Sequence, residues 1–128
     1  MEPRDYGPFP YLPITRRPEI AWPGGARLAV WVIPNIEFFS LKDALSGHPF
    51  EVKGPVPGVR AWSQRDYGNR VGIWRIMKVL SKYGIRASAA VNSDICDYHP
   101  EIIEAAVELG WEFVAHNKTN TQRLNAVP

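Results

Sequence analysis

The chain has 128 residues, 45% of them hydrophobic, so it can bury one hydrophobic core, and its length suggests a single domain. Its formal net charge is +2, with acidic and basic residues interspersed. Binding of nucleic acid requires a basic stripe, which this charge pattern does not provide. We therefore expect no nucleic-acid partner.

Cysteine content and hydropathy indicate where the protein resides. The single cysteine, Cys96, excludes an internal disulfide framework and fits a reducing compartment. As a lone thiol it is more typical of a buried or half-buried structural position than of a nucleophile. Residues 1–5 lack the apolar region of a signal peptide. The longest apolar run, residues 28–33, is far shorter than the roughly 20 residues of a membrane span. We expect a cytoplasmic protein with no membrane partner.

In chain order, the first elements are an extended arm, a strand and a long loop. Residues 1–26 are rich in Pro, Tyr and Phe, which predicts an extended N-terminal arm that wraps the domain. Residues 27–33 are nearly all apolar and predict a central strand buried on both faces. Residues 40–66 are rich in Gly and Pro and predict a long loop, and the apolar residues among them indicate that it is ordered.

A helix is predicted next, over residues 70–83. Its apolar residues recur at helical spacing and form one stripe, in which Trp74 is a core position. The stripe consists of Val71, Trp74, Met77 (or Ile76) and Leu80. Gly84 lies where a helix commonly ends.

The last predicted elements are a strand, a helix and a strand. Residues 86–91 form a short strand of small side chains. Pro100 suits the first position of a helix over residues 100–109, which Gly110 ends. Residues 111–115 form the third strand.

This order of elements predicts an α/β domain in which parallel strands alternate with helices. In such folds, ligands bind at the carboxyl ends of the strands. A polar cluster follows each predicted strand: Asn35 and Glu37 follow the first, residues 92–94 the second and residues 116–120 the third. If the strands are adjacent, the three clusters share one rim, and the sequence predicts a site there.

Residues 27–128 supply only two crossover helices, whereas a parallel sheet needs both faces covered. We expect them to be the N-terminal part of a larger (β/α) barrel domain, truncated on its C-terminal side. The alternative is a complete small three-layer or α+β domain, covered by the arm and the long loop. An incomplete barrel would expose apolar surface, which would favour association into a homo-oligomer.

Four segments together resemble the allantoinase-like branch of the polysaccharide deacetylase (NodB) superfamily. They occur in the order found in that family and cover most of residues 20–122. The segments are WPGGAR at residues 22–27, WSQRDYGNRVGIWR at 62–75, AVNSD at 90–94 and GWEFVAH at 110–116. The resemblance implies a distorted (β/α) barrel and hydrolysis of an amide, ureide or N-acetyl bond.

Two motifs of the metal-dependent members can be compared directly with this sequence. The first, Thr-Phe-Asp-Asp-Gly, contains a base followed by a metal ligand, and here Glu37 falls on the base position and Phe38 replaces the ligand. The second, His-Ser/Thr-x-x-His, contributes two ligands, and here His116 matches the first and Asn120 replaces the second. One imidazole and a neutral amide do not complete the three-ligand set of a zinc site. We therefore expect no metal and no other cofactor, as in other allantoinase-like members, which also lack the complete triad.

Glu37 and His116 are the candidate catalytic residues. Glu37 is placed as a general base, or alternatively as a solvated loop acid. His116 is placed to polarise a carbonyl group or to protonate a leaving nitrogen, or alternatively as a structural histidine. Asn92 and Asn120 could orient a substrate amide, although roles in turns or caps suit them equally.

Three further residues are candidates for substrate binding. The planar guanidinium of Arg70 suits a carboxylate or a ureide oxygen, and Tyr67 accompanies it before the predicted helix. An equally good alternative is that Arg70 clamps the long loop to the domain. Trp62 lies in the predicted loop and could form the wall of a pocket.

The leading hypothesis is a hydrolase of non-peptide carbon–nitrogen bonds that acts on a small ureide, amide or N-acetyl substrate by acid–base chemistry. A metal-dependent carbohydrate N-deacetylase ranks below it because the ligand set is incomplete. A non-catalytic binding module or a vestigial half-domain is the third alternative. We expect the 128-residue chain by itself to be inactive, because part of the site's surroundings would be missing.

Overall fold

The computed structural model describes residues 8–42 and 58–121. The chain divides into two compact units, Met1–Val30 and Trp31–Pro128. In the first unit, residues 8–30 contain two short 3-10 turns, Ile14–Arg16 and Pro23–Gly25, and no residue in either turn is buried. The predicted arm falls in this unit, and its wrapping of the domain stays a prediction.

The second unit contains a sheet of three parallel strands in the order β1, β2, β3. The strands are β1 (Asn35–Ile36), β2 (Ser88–Val91) and β3 (Glu112–Ala115). The helices are α1 (Val59–Tyr67), α2 (Ile73–Lys82), α3 (Asp94–Tyr98) and α4 (Pro100–Glu108), and a π-helical segment (Gly68–Gly72) joins α1 to α2. The predicted α/β fold with parallel strands and intervening helices is confirmed, and the three described strands form an open sheet.

The register of the sheet brings the ends of all three strands to one edge. Ile36 lies opposite Val91, and Val91 lies opposite Ala115. The strands run in the same direction, so the residues that follow these three emerge side by side. The predicted common rim of the polar clusters is therefore present.

The first strand differs from its prediction. It comprises Asn35–Ile36 rather than residues 27–33, and Leu28 and Trp31 are 75% and 69% exposed. The carbonyls of Val32 and Pro34 still accept hydrogen bonds from β2 amides, but Pro34 has no N–H to return one. Among the described residues, β1 pairs with β2 alone and is therefore an edge strand. Apolar side chains that a central strand would bury are exposed at such an edge.

Part of the predicted long loop is helical. Helix α1 occupies residues that we predicted as loop, because Gly58 ends the Gly- and Pro-rich stretch and good helix formers follow it. Residues 43–57, for which an ordered loop is predicted, lie outside the described residues, as do residues 1–7 and 122–128.

The buried face of α2 is rotated relative to the predicted stripe. Ile73 and Met77 are buried and Leu80 packs partly against the core, whereas Trp74, predicted as core, is 40% exposed. Within α2, Ile73, Met77 and Leu80 recur at steps of four and three residues, and Trp74 lies about 100° around the helix from Ile73.

Both long helices of the second half end at the predicted glycines. Gly84 has φ +66°, its N–H donates to Ser81 O, and the N–H of Ile85 donates to Leu80 O at 2.9 Å. These two bonds form a Schellman motif, which needs a left-handed residue and therefore favours glycine. Gly110, with φ +67°, ends α4 in the same way.

The core lies where the sheet packs against the helices. Its members are Ile36, Ile73, Met77, Ala87, Ala89, Val91, Ile95, Ile102, Ala106 and Trp111. Helix α3 was not predicted; it turns Ile95 inward and leaves Cys96 exposed, so the expectation of a buried or half-buried thiol was wrong. No helix in the described part of the chain is long and apolar enough to cross a membrane.

Candidate functional site

Glu37 and His116 meet at the carboxyl edge of the sheet. Glu37 directly follows β1 and His116 directly follows β3, and the Glu37 Oε1 and His116 Nε2 atoms are 3.2 Å apart. The two residues are 79 positions apart in the chain, so only the parallel register brings them together. Their side chains are 29% and 37% exposed, respectively, which leaves both groups accessible to water and to a small molecule.

The backbone around Glu37 is held by two asparagine side chains. Asn69, in the π-helical segment, donates its Nδ2–H to the Glu37 carbonyl at 2.9 Å. The N–H of Phe38 donates to Asn92 Oδ1 at 2.8 Å. The peptide group that joins Glu37 to Phe38 is therefore bonded at both its carbonyl and its N–H.

Asn92 joins the ends of all three strands. Its side chain is fully buried, and besides accepting from Phe38 N–H it donates Nδ2–H to His116 O and to Asn120 Oδ1. An asparagine side chain has two donor hydrogens, and both are used here. In this structure burial and internal hydrogen bonding occupy its amide group, and the predicted role of Asn92 in substrate binding stays a prediction.

The loop after β3 is anchored to the segment after β1. The Phe38 carbonyl accepts from the Asn120 N–H at 3.0 Å and from Thr119 Oγ1 at 3.1 Å. Thr119 is buried, and Asn117 adopts a left-handed conformation with φ +68°, which asparagine tolerates better than most residues. These contacts hold His116 and Glu37 on neighbouring segments.

The positions of two metal ligands in the superfamily's motifs are occupied here by groups that do not suit a cation. The ring of Phe38 stacks on Tyr98, with centroids 4.5 Å apart and an interplanar angle of 18°. Asn120 Oδ1 accepts from Asn92 Nδ2 at 3.2 Å, so this oxygen already has a donor. Among residues 8–42 and 58–121, no three His, Cys, Asp or Glu side chains form a group that could hold a metal ion. The residues that are described do not fit the metal of the superfamily.

A cavity of about 500 Å³ opens at the carboxyl edge, beside Phe38 and Thr119. Aromatic rings contribute to its walls, and so do two ion pairs. Its lining includes Phe38, Trp62, Asp66, Arg70, Asp94, Tyr98 and Lys118. In the ion pairs, Arg70 contacts Asp66, and Lys118 Nζ donates to Asp94 Oδ1 at 2.6 Å. The hydrogen bond from Lys118 to the Asp94 carboxylate raises the pKa of Lys118 above its ordinary value.

A second cavity, of about 300 Å³, lies beside Glu37. Pro34, Ile36 and Ile73 contribute to its lining, together with Asn69. Its walls are mostly apolar, and Glu37 contributes to them. Of the two cavities, the larger is lined by neither Glu37 nor His116.

The remaining predicted substrate residues have different surroundings. Trp62 lies in helix α1 and lines the larger cavity, and its Nε1–H donates to Phe39 O at 3.0 Å. Arg70 also lines that cavity, although it is paired with Asp66. Tyr67 is 50% exposed and lines neither of the two cavities described above, and Asn120 is exposed.

Sequence reasoning did not single out Asn69 or the Asp94–Lys118 pair. Asn69 lies inside the segment 62–75, which carries the resemblance, so its position was visible in the sequence. The direction of its side chain was not, because it depends on the π-helical turn.

The chain is similar to a solved crystal structure of Puue allantoinase, with 24% sequence identity and a TM-score of 0.64. The similarity covers 82% of this chain and 38% of that chain, so residues 1–128 span about two fifths of the length of that protein. The likeness shows that the described part of this chain shares the fold of that structure, as the resemblance of the sequence motifs implied. No protein-family model and no curated protein matches the sequence.

Proposed function

We propose that this chain carries the acid–base pair of a hydrolase that cleaves a non-peptide carbon–nitrogen bond in a small ureide or amide. The observation that carries the proposal is the contact of 3.2 Å between Glu37 Oε1 and His116 Nε2 at the carboxyl edge of a parallel sheet. The fold shared with an allantoinase supports the class of reaction, since that protein is named for its action on a ureide.

The chemistry assigns a separate task to each side chain. The Glu37 carboxylate accepts a proton from water, and the resulting hydroxide attacks the carbonyl carbon of the substrate. The carbon–nitrogen bond then breaks, and the His116 imidazolium gives a proton to the leaving nitrogen. The products are a carboxylic acid and either an amine or a urea. The Glu37–His116 contact allows the proton to return between the two groups, which restores both for the next cycle.

The proposed reaction uses no metal ion. A zinc site of the usual catalytic kind needs three protein ligands and an open position, and the motif positions supply His116 with Phe38 and Asn120. A phenyl ring donates nothing to a cation, and the Asn120 oxygen is engaged by Asn92. For the same reason a metal-dependent carbohydrate N-deacetylase gains no support from these residues.

The larger cavity supports a small neutral substrate. Two of its cationic side chains, Arg70 and Lys118, are paired within the cavity wall with Asp66 and Asp94. A neutral ureide can accept and donate hydrogen bonds beside these two pairs without breaking them. The rings of Phe38 and Tyr98 suit the planar face of such a molecule.

The test compares the Glu37→Gln variant with the wild type. Both are prepared in two forms, as the protein expressed from its own gene and as residues 1–128. Turnover of allantoin, and of N-acetylglucosamine as a sugar amide, is followed by NMR. Loss of the general base should lower kcat by about 100- to 10,000-fold. Glu112→Gln is the matched control, because Glu112 lies at the opposite end of β3 and should leave turnover unchanged.

Three results would contradict the proposal. A modest loss of turnover in Glu37→Gln would assign the base to another residue. Activity that a chelator abolishes and zinc or cobalt restores would contradict the metal-free reaction. If calorimetry shows that allantoin binds to the protein expressed from its own gene but no turnover occurs, a non-catalytic binding module is the better account.

A further inference from the structure

The peptide group between Glu37 and Phe38 is bonded on both sides by buried side-chain amides. Asn69 Nδ2–H donates to its carbonyl at 2.9 Å, and Asn92 Oδ1 accepts from its N–H at 2.8 Å. The two asparagines are 9% and 0% exposed. They come from separate elements, the π-helical segment and the residue after β2.

These bonds replace strand pairing at the point where the sheet ends. Strand β1 ends at Ile36, whose carbonyl accepts the last ladder bond, from the N–H of Asn92. Among residues 8–42 and 58–121, no backbone group bonds to the next peptide group, which follows the Cα atom of the proposed base. Without Asn69 and Asn92 its carbonyl and its N–H would lose these partners, and a backbone polar group left unpaired away from water costs free energy.

Asn92 also acts on the other member of the pair. Its Nδ2–H donates to the His116 carbonyl, while the His116 N–H donates to Val91 O at 3.0 Å. One buried side chain is therefore bonded to the backbone of both Glu37's neighbour and His116. The distance between the carboxylate and the imidazole depends on how this amide group is placed.

We propose that Asn69 and Asn92 are positioning residues that orient the Glu37–Phe38 peptide group and thereby hold the Glu37 carboxylate against His116. This inference rests on the proposed function for its catalytic meaning. Preorganisation of this kind is what keeps reacting groups at a working distance, and a displacement of about 1 Å can lower turnover by about 100-fold.

The central experiment is an NMR mutant cycle on histidine-labelled protein, with the His116 ring signal identified by its loss in His116→Gln. In the wild-type background, Glu37→Gln should shift this signal because the two groups are in contact. In the Asn92→Asp background, the same Glu37→Gln change should produce a much smaller shift. Aspartate keeps the size of asparagine but lacks the donor hydrogens that reach His116 and Asn120.

Asn69→Asp and Ser88→Ala complete the cycle. Asn69→Asp removes the donor to the Glu37 carbonyl, and it should also reduce the shift. Ser88 is also buried, but its hydroxyl donates to Glu112 at the far end of the sheet. Ser88→Ala should therefore leave the shift as large as in the wild type. If Asn92→Asp does not fold by circular dichroism, Asn69→Asp carries the test, because it acts on the same peptide group from the other side.

The outcomes separate this inference from the proposed function. A Glu37→Gln shift that is unchanged in folded Asn69→Asp and Asn92→Asp overturns the positioning role, whatever the enzymatic activity. A reduced shift without any turnover of ureides or amides supports the positioning role and leaves the proposed function refuted. Where turnover is present, kcat should fall by up to about 100-fold with little change in KM, because both asparagine side chains bond to the Glu37–Phe38 peptide group.

Discussion

Two glycines in the helical region should respond in opposite directions to replacement by alanine. Gly84 has φ +66° and ends α2, whereas Gly68 has φ −56° and ψ −48° in a helical conformation. An added Cβ atom meets nothing within 4 Å at either position. Contacts therefore do not contribute to the difference, and the backbone conformation alone should determine the sign of the change in stability.

The magnitudes follow from the two backbone conformations. Alanine at position 84 must adopt the left-handed region, so Gly84→Ala should lower the free energy of unfolding by about 1–2 kcal/mol. Alanine at position 68 keeps a helical conformation and reduces the freedom of the unfolded chain, so Gly68→Ala should raise it by about 0.4–1 kcal/mol. Urea denaturation followed by circular dichroism measures both values, provided that the m-value stays constant.

The melting temperatures should separate in the same order, by a few degrees for each kcal/mol, as is typical of domains of this size. The reasoning would be refuted if Gly84→Ala were as stable as the wild type. A destabilised Gly68→Ala would also contradict it, since this would mean that the π-helical segment tolerates no side chain at its first position.

Two further predictions concern the ion pair at the site and the core. Since Asp94 raises the pKa of Lys118, the pair should stabilise the fold fully below pH 10.5 and lose this contribution as pH rises through the raised pKa. The difference in melting temperature between the wild type and Lys118→Met, followed from pH 7 to above 11, should therefore shrink only at the alkaline end. Ile102→Ala should lower the free energy of unfolding by about 2–5 kcal/mol, because Ile102 is 2% exposed. Val107→Ala, at a position 59% exposed on the same helix, should change the free energy of unfolding by less than about 0.5 kcal/mol. Equal losses in urea denaturation would contradict the described core.

The alternation of strands and helices was visible in the sequence because local patterns determine it. Gly84 and Gly110 marked the ends of α2 and α4, and Pro100 marked the start of α4, since these residues have strong backbone preferences of their own. Once parallel strands were predicted, the meeting of Glu37 and His116 followed from their positions after two of the strands.

Other features depended on packing that no local pattern records. Residues 27–33 are as apolar as a central strand, but the described β1 is an edge strand at Asn35–Ile36. Trp74 belongs to the apolar stripe of the sequence, but the face of α2 that packs into the core contains Ile73 and Met77, and Trp74 is 40% exposed. Hydrophobic periodicity predicts that a face is buried, but not which neighbour covers it.

The sequence by itself determined the type and order of most elements and the two side chains most suited to acid–base chemistry. Only the tertiary structure decided that Asn92 is buried between the strand ends, and that Asn69 reaches the carbonyl of Glu37 from 32 residues away. The physical reason is that residue type limits the hydrogen bonds a side chain can make, whereas its actual partners depend on the register of the sheet and the turn of the helix.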